Sequence, residues 1–299
     1  MINIANPLYD VVFKYLLEDN ESARILLSTL LGEEVLELEL RPQEQVSDRA
    51  ERSLTVMRLD FSAKIKTSAD SSKLVIIEIQ KAKLVTDIMR FRRYLGKQYM
   101  NPDNTYQGLK RQVKALPIVS IYFLAYELDA LAPAVIRIQR TYLDASTQEQ
   151  LSARHPFIES LTHDAVIVQV AKLHEPYLSE LEKLLAIFDQ HNKAAFGREV
   201  MLDEARFPKP FLRLKERLVR AIAEEPLRNQ MDIEDDVLKE LAEKERELEE
   251  KEQVLQANDK KLKEQDKKLE EQDRKLEETT TALVQTAQAL HAKDQKLEE

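Results

Sequence analysis

Asp60, Glu78 and Gln80 combine reactive chemistry with a costly setting in this 299-residue chain. Asp60 falls in a strand-like run at 54–66, and Glu78 and Gln80 fall in another at 73–80; both runs are mostly apolar and β-branched. A carboxylate buried in such a run is costly unless something compensates it, and a metal ion is the commonest compensation. Residues two apart on a strand share a face, so Glu78 and Gln80 point the same way, while Lys81 points to the other face if the strand persists. Asp60, on the adjacent strand, can reach the same side. A divalent ion would then meet Asp60, Glu78 and the backbone carbonyl of Ile79, with water and a phosphate in its remaining positions. Magnesium, or manganese, bound in this way suits phosphodiester hydrolysis. A plainer reading stays open, in which Asp60 pairs with Arg58 or Lys64 as an ordinary sheet ion pair.

The elements that must position these residues follow from periodicity. A 3.6-residue apolar pattern predicts a helix over 8–31, with Gly32 as its terminator. Strands are expected at 35–41, 54–66 and 73–80, with turn chemistry at 68–72. A helix should follow from about 83 to 100, ending near Pro102, and then a strongly apolar strand at 116–124. Weaker strands are read at 134–143 and 165–170. From Pro176 the pattern turns helical, with Leu178, Leu181, Leu184, Leu185, Ile187 and Phe188 on one face, and a further helix is expected through 211–224. This order predicts an α/β fold, a mixed central sheet flanked by helices. The expected division is a core at 1–175, a helical extension at 176–230 and a long helix at 231–299.

That last helix rests on leucines at every seventh position from Leu241 to Leu297, with neither Pro nor Gly beyond Pro226. The usual reading is a left-handed coiled coil, which makes a homo-oligomer the expected partner state. Only one seam position per heptad is apolar, however. One register pairs the leucines with Asp259, Asp266 and Asp273; the other pairs them with Asn258, Gln265, Gln272, Thr279 and Thr286, which can hydrogen-bond across a seam. The second is favoured. A solvated single helix, held by i,i+4 pairs such as Glu264/Lys268 and Glu271/Lys275, is the alternative.

Charge and composition narrow the function classes. Residues 232–299 carry a net charge of −9, so residues 1–231 are neutral and the acidity resides in the tail. A neutral body lacks the strong basic patch of a sequence-specific binder, yet local patches still permit DNA contact. Without cysteine there is no disulfide scaffold or thiolate zinc site, which fits a cytoplasmic protein. No signal peptide or membrane span is expected. Four scattered glycines exclude a phosphate loop, and the five histidines show no metal-ligand spacing, so they read as structural or surface residues.

Asp60 together with Glu78, Ile79 and Gln80 resembles the catalytic motif of the PD-(D/E)xK nuclease superfamily. The nearest branch is the recombination-promoting nuclease / putative transposase family, whose members often carry Glu-x-Gln in place of Glu-x-Lys. Asp10, Val11, Val12, Phe13 and Lys14 resemble its N-terminal helix signature, Arg90 and Tyr94 match an Arg-x-x-x-Tyr spacing, and the strand at 117–124 stands where its next core strand does. The likeness covers roughly residues 5–170. It implies a restriction-endonuclease-like core and a magnesium-dependent DNA endonuclease, active in recombination, transposition or phage defence. Asp60 and Glu78 would bind the metal, and Gln80 would stand where the superfamily's lysine positions or activates water. An amide can orient water but cannot take its proton, so Lys81 or Lys14 is the candidate for the missing cation. Asp10, Lys14, Arg90 and Tyr94 would face DNA, although Asp10/Lys14 also fit a surface pair, and Arg90 with Arg92 and Arg93 a solvated helix face. The missing lysine also leaves open a catalytically silent nuclease fold that serves as an interaction module.

Overall fold

The computed structural model describes residues 1–40, 61–68, 71–80, 85–107, 113–194 and 197–297. Two compact units result, Met1–Ile233 and Glu234–Glu299.

The first unit begins with β1 (Ile2–Ala5), α1 (Asp10–Glu18) and α2 (Asn20–Leu31). The single helix expected over 8–31 is therefore broken in two. Apolar spacing runs straight through the break, but Asp19 adopts an extended backbone and its carboxylate accepts a hydrogen bond from the Ser22 amide, starting a new helix. Gly32 closes α2 with a left-handed backbone, φ 69°, as a terminating glycine should. Then come β2 (Glu37–Leu40), β3 (Phe61–Ser68), β4 (Ser71–Gln80) and α3 (Val85–Met100). Pro102 stands two residues past α3, where it cannot continue a helix. A small hairpin, β5 (Thr105–Gln107) and β6 (Val113–Ala115), leads into β7 (Ile118–Leu124).

The stretch at 134–143 is not one strand but two, β8 (Val135–Ile138) and β9 (Tyr142–Leu143), the latter paired with β10 (Gln150–Leu151). After α4 (Pro156–Leu161) comes β11 (His163–Gln169), stronger than its sequence promised because it lies between two partners. α5 (Glu180–Leu185) starts late: Ser179 and Glu182 form a reciprocal capping box, which leaves Leu178 outside the helix and 83% exposed. β12 (Glu199–Leu202) and α6 (Leu212–Ala223) complete the layer before α7 (Glu225–Leu297).

Six strands form the central sheet in the order β2-β3-β4-β7-β11-β8. β2, β3 and β4 are antiparallel, β4, β7 and β11 are parallel, and β8 returns antiparallel to β11. The architecture is thus α/β with a mixed sheet. α3 serves as the crossover that a parallel β4–β7 pair requires. On one face, Ala63, Val75, Ile77, Ile121, Phe123, Val166 and Val168 pack under α1, α2, α5 and α6. Phe13, Phe123 and Phe188 meet at its centre, with Phe123 and Phe188 ring centroids 4.5 Å apart. Each such side chain, fully covered, contributes about 1.5–3 kcal/mol. The other face holds a smaller cluster of Leu74, Ile76, Phe91, Leu95, Leu116 and Ile118 beneath α3.

α6 is clamped at the α1–α2 break. Arg213 donates to both oxygens of Asp19 at 2.6 Å, and Arg217 donates to the Tyr15 carbonyl while lying 4.1 Å over the Tyr15 ring. The guanidinium of Arg213 holds the Asp19 carboxyl well below the usual carboxylate range. β1 pairs antiparallel with β12, so the first and last strands of the unit are neighbours. Met231, in the first turns of α7, is buried in the same core. Among the described residues, no helix is long and apolar enough to cross a membrane.

The second unit is the remainder of α7, a single uninterrupted helix. Its heptad leucines from Leu248 to Leu283 are all more than half exposed.

Candidate functional site

β4 is a central strand, and its sequence says why: Leu74, Val75, Ile76 and Ile77 form a continuous apolar run covered on both faces. Glu78 interrupts that run, yet it is only 4% exposed. Carboxylates rarely reach such burial without a partner. In register, Glu78 lies opposite Tyr122, Ile79 opposite Phe123 and Gln80 opposite Leu124. Alternation assigns Glu78 to the α3 face, with Leu74 and Ile76, and Ile79 to the Phe123 face. Glu78, Ile79 and Gln80 are the last three residues of β4, at the carboxyl end of two parallel strands. Ligand crevices of open α/β sheets form at that edge.

β3 runs antiparallel to β4, so its first described residue, Phe61, pairs with Ile77 at this same edge. Asp60 immediately precedes Phe61 in sequence and lies outside the described residues, as do Arg58 and Lys81.

Tyr122 was not singled out from sequence. Its phenol is held above its ordinary pKa, first by burial and further by the charge of Glu78, against an opposing influence from Ser120. The ring rests on Phe91 of α3, with centroids 4.5 Å apart. A neutral phenol thus neighbours the carboxylate, on a surface that also contains the buried hydroxyls Ser62 and Ser120. In the strand at 118–124 Ser120 and Tyr122 alternate with Val119, Ile121 and Phe123, a pattern that separates two faces without marking the phenol.

The predicted DNA-facing residues divide between the two helical layers. Asp10 and Lys14 form an i,i+4 ion pair on α1, whose apolar side belongs to the Phe123 face. Arg90 and Tyr94 belong to α3, on the Glu78 face. Tyr94 is half-buried against the apolar cluster, and its hydroxyl accepts a hydrogen bond from Gln98 Nε2 at 3.2 Å. Asn104 donates to the Gln98 carbonyl and side chain at 2.8 Å, tying the end of α3 to the loop before β5. Arg92 and Arg93 are exposed on the same helix.

Among the described residues, no group of three or more His, Asp or Glu side chains is arranged to hold a metal ion. A second buried carboxylate, Asp189, serves as an anchor: it accepts from the Tyr177 hydroxyl at 2.6 Å, from the His191 amide at 2.9 Å and from Asn192 Nδ2 at 3.2 Å. No protein-family model, curated protein or solved structure matches the chain.

Proposed function

We propose that the chain is a metal-dependent DNA endonuclease that hydrolyses phosphodiester bonds at the edge formed by Glu78. The observation that carries this reading is the burial of Glu78 in an otherwise apolar central strand, at the carboxyl end of the parallel pair β4–β7. A hard anionic oxygen in that setting fits a hard divalent cation, and no cysteine competes for a softer one. Asp60, Glu78 and the Ile79 carbonyl would hold magnesium or manganese. When bound, the ion supplies positive charge and a water of lowered pKa. Tyr122 keeps a neutral hydroxyl beside Glu78, so it adds no second negative charge there. The Gln80 amide would orient the attacking water and donate to phosphate, without accepting a proton. Lys81 or Lys14 would supply the cation that the motif otherwise lacks. Arg90, Tyr94 and the exposed Arg92 and Arg93 would meet the DNA backbone from α3, with Asp10 and Lys14 contributing from α1.

Gln80 itself favours a second reading, a silent nuclease fold used as an interaction module. Nicking of supercoiled plasmid with magnesium separates the two. The endonuclease reading expects nicking that Glu78→Ala and Asp60→Ala each abolish; wild type indistinguishable from both variants establishes the silent fold.

A further inference from the structure

We infer that α7 is one strand of a parallel, in-register, two-stranded coiled coil, and that its partner is a second copy of this chain. This goes beyond the nuclease reading and does not depend on it.

The occupant of the leucine stripe is identified by what flanks it. Leu255, Leu262, Leu269, Leu276 and Leu283 are each 56–69% exposed, which is costly for a row of large apolar side chains at one spacing. With these leucines at the first seam position, the second seam position holds Asn258, Gln265, Gln272, Thr279 and Thr286. The positions that border the seam are then Asp259, Asp266 and Asp273 on one side and Lys261, Lys268 and Lys275 on the other. In the alternative register the aspartates fall within the seam and this border complementarity vanishes.

Orientation follows from two independent features of that pattern. In a parallel pair, a border residue that precedes a seam leucine faces the opposite border residue five positions later on its partner. Lys261 then meets Asp266, and Lys268 meets Asp273, each twice by symmetry. An antiparallel pair sets lysine against lysine and aspartate against aspartate along the same stretch. The seam gives the second argument. Parallel packing stacks leucine on leucine and amide on amide in alternating layers, so that the amides hydrogen-bond to each other. Antiparallel packing faces every leucine with an amide or hydroxyl, burying polar groups against apolar ones. The border match is confined to residues 261–273: upstream, Lys251 falls in the seam and Glu247 faces Glu252, and downstream Lys275 faces Thr280. The helix around this stretch is reinforced internally by Asp259–Lys263 at 2.9 Å and Glu271–Lys275 at 3.0 Å.

Full-length protein tests this by light scattering and by cross-linking. Wild type should have the mass of two copies. The double variant D266K/D273K, with lysine on both borders, should raise the dissociation constant by roughly tenfold or more at low salt. K261D/K268D should do the same, and an equimolar mixture of the two variants should restore association. Because the chain has no cysteine, Asn258→Cys and Leu269→Cys report orientation separately. In a parallel register each variant forms a disulfide with itself. An antiparallel pair centred between them links 258 to 269 only when the variants are mixed. Circular dichroism of each variant checks that the helix persists. A monomeric or higher-order wild type, indifference to charge reversal with the helix intact, or cross-linking only in the mixture would each overturn the inference.

Discussion

On one face of the central sheet, Ala63, Ile65, Val75, Ile77, Ile121, Phe123 and Val168 are wholly apolar and fully or almost fully covered by four helices. On the other, the same strands contribute Ser62, Ser120, Glu78 and Tyr122 around a small apolar cluster beneath α3. Composition cannot explain the contrast, since both faces come from the same backbone. Alternation lets one strand meet two environments: Leu74, Ile76 and Glu78 of β4 lie on the α3 face, while Val75 and Ile77 lie in the larger core. A face that spends its burial on hydroxyls and a carboxylate gains less from water exclusion, so the Phe123 face must hold the fold.

That division can be broken most decisively at Glu78. Glu78→Gln should lower magnesium-dependent nicking by roughly 10²- to 10³-fold or more while the chain stays folded, because the amide keeps the side chain's size and loses its charge. A drop in midpoint with activity intact would instead assign Glu78 to the scaffold. Phe123→Ala is the mirror experiment. Losing a ring packed between Phe13 and Phe188 should cost about 3–5 kcal/mol in urea unfolding, and activity should fail only where the fold does. Phe91→Ala, in the smaller cluster, should cost less; the reverse order would show that α3 bears the fold. Tyr122→Phe sharpens the comparison further. It keeps the ring on Phe91 and removes only the hydroxyl beside Glu78, so stability should move by about 1 kcal/mol or less and nicking by about tenfold.

The smallest effect concerns the clamp over the Phe123 face. Arg213 lowers the Asp19 pKa on folding, so the pair stabilises the folded chain fully above the ordinary carboxylate pKa, near 4. That contribution fades as pH falls below this value toward the lowered folded one. Arg213→Ala should flatten the dependence of the urea midpoint on pH in this acid range. Plasmid nicking at neutral pH should stay the same, since the clamp touches no residue of the Glu78 face.

The same division governs what was legible in the sequence. β4, β7, α3 and α6 declared themselves because a strong local period agrees with their final environment. Gly32 did so because only one backbone conformation ends a helix there with a left-handed turn. Asp19 did not. Its break is invisible to apolar spacing and depends on a carboxylate capping Ser22 and meeting Arg213 from 194 residues away. β1 and β12 are short strands that exist through each other, a pairing no local window contains, and β9 and β10 are two-residue strands too short to show a period. Within the candidate site, Glu78 was legible as a charge in an apolar run. Tyr122 was not, because an aromatic residue in a strand looks like core until register sets it opposite a carboxylate. The leucine stripe was visible at once, but its partner became readable only when the border charges were laid out position by position.

The pairing of Ile2 with Leu202 and of Ala5 with Glu199 has a consequence for how the chain is made. A ribosome delivers β1 nearly two hundred residues before β12, its strand partner, emerges, and α6, which packs against β1, arrives later still. Until then the core around Ile4, Leu8, Val12 and Phe13 lacks α6. Contacts of such long sequence separation slow folding, and the waiting surface is the kind that chaperones bind. Any nascent chain that ends before α6 should therefore remain protease-sensitive, and the first unit should become resistant in a single late step rather than strand by strand.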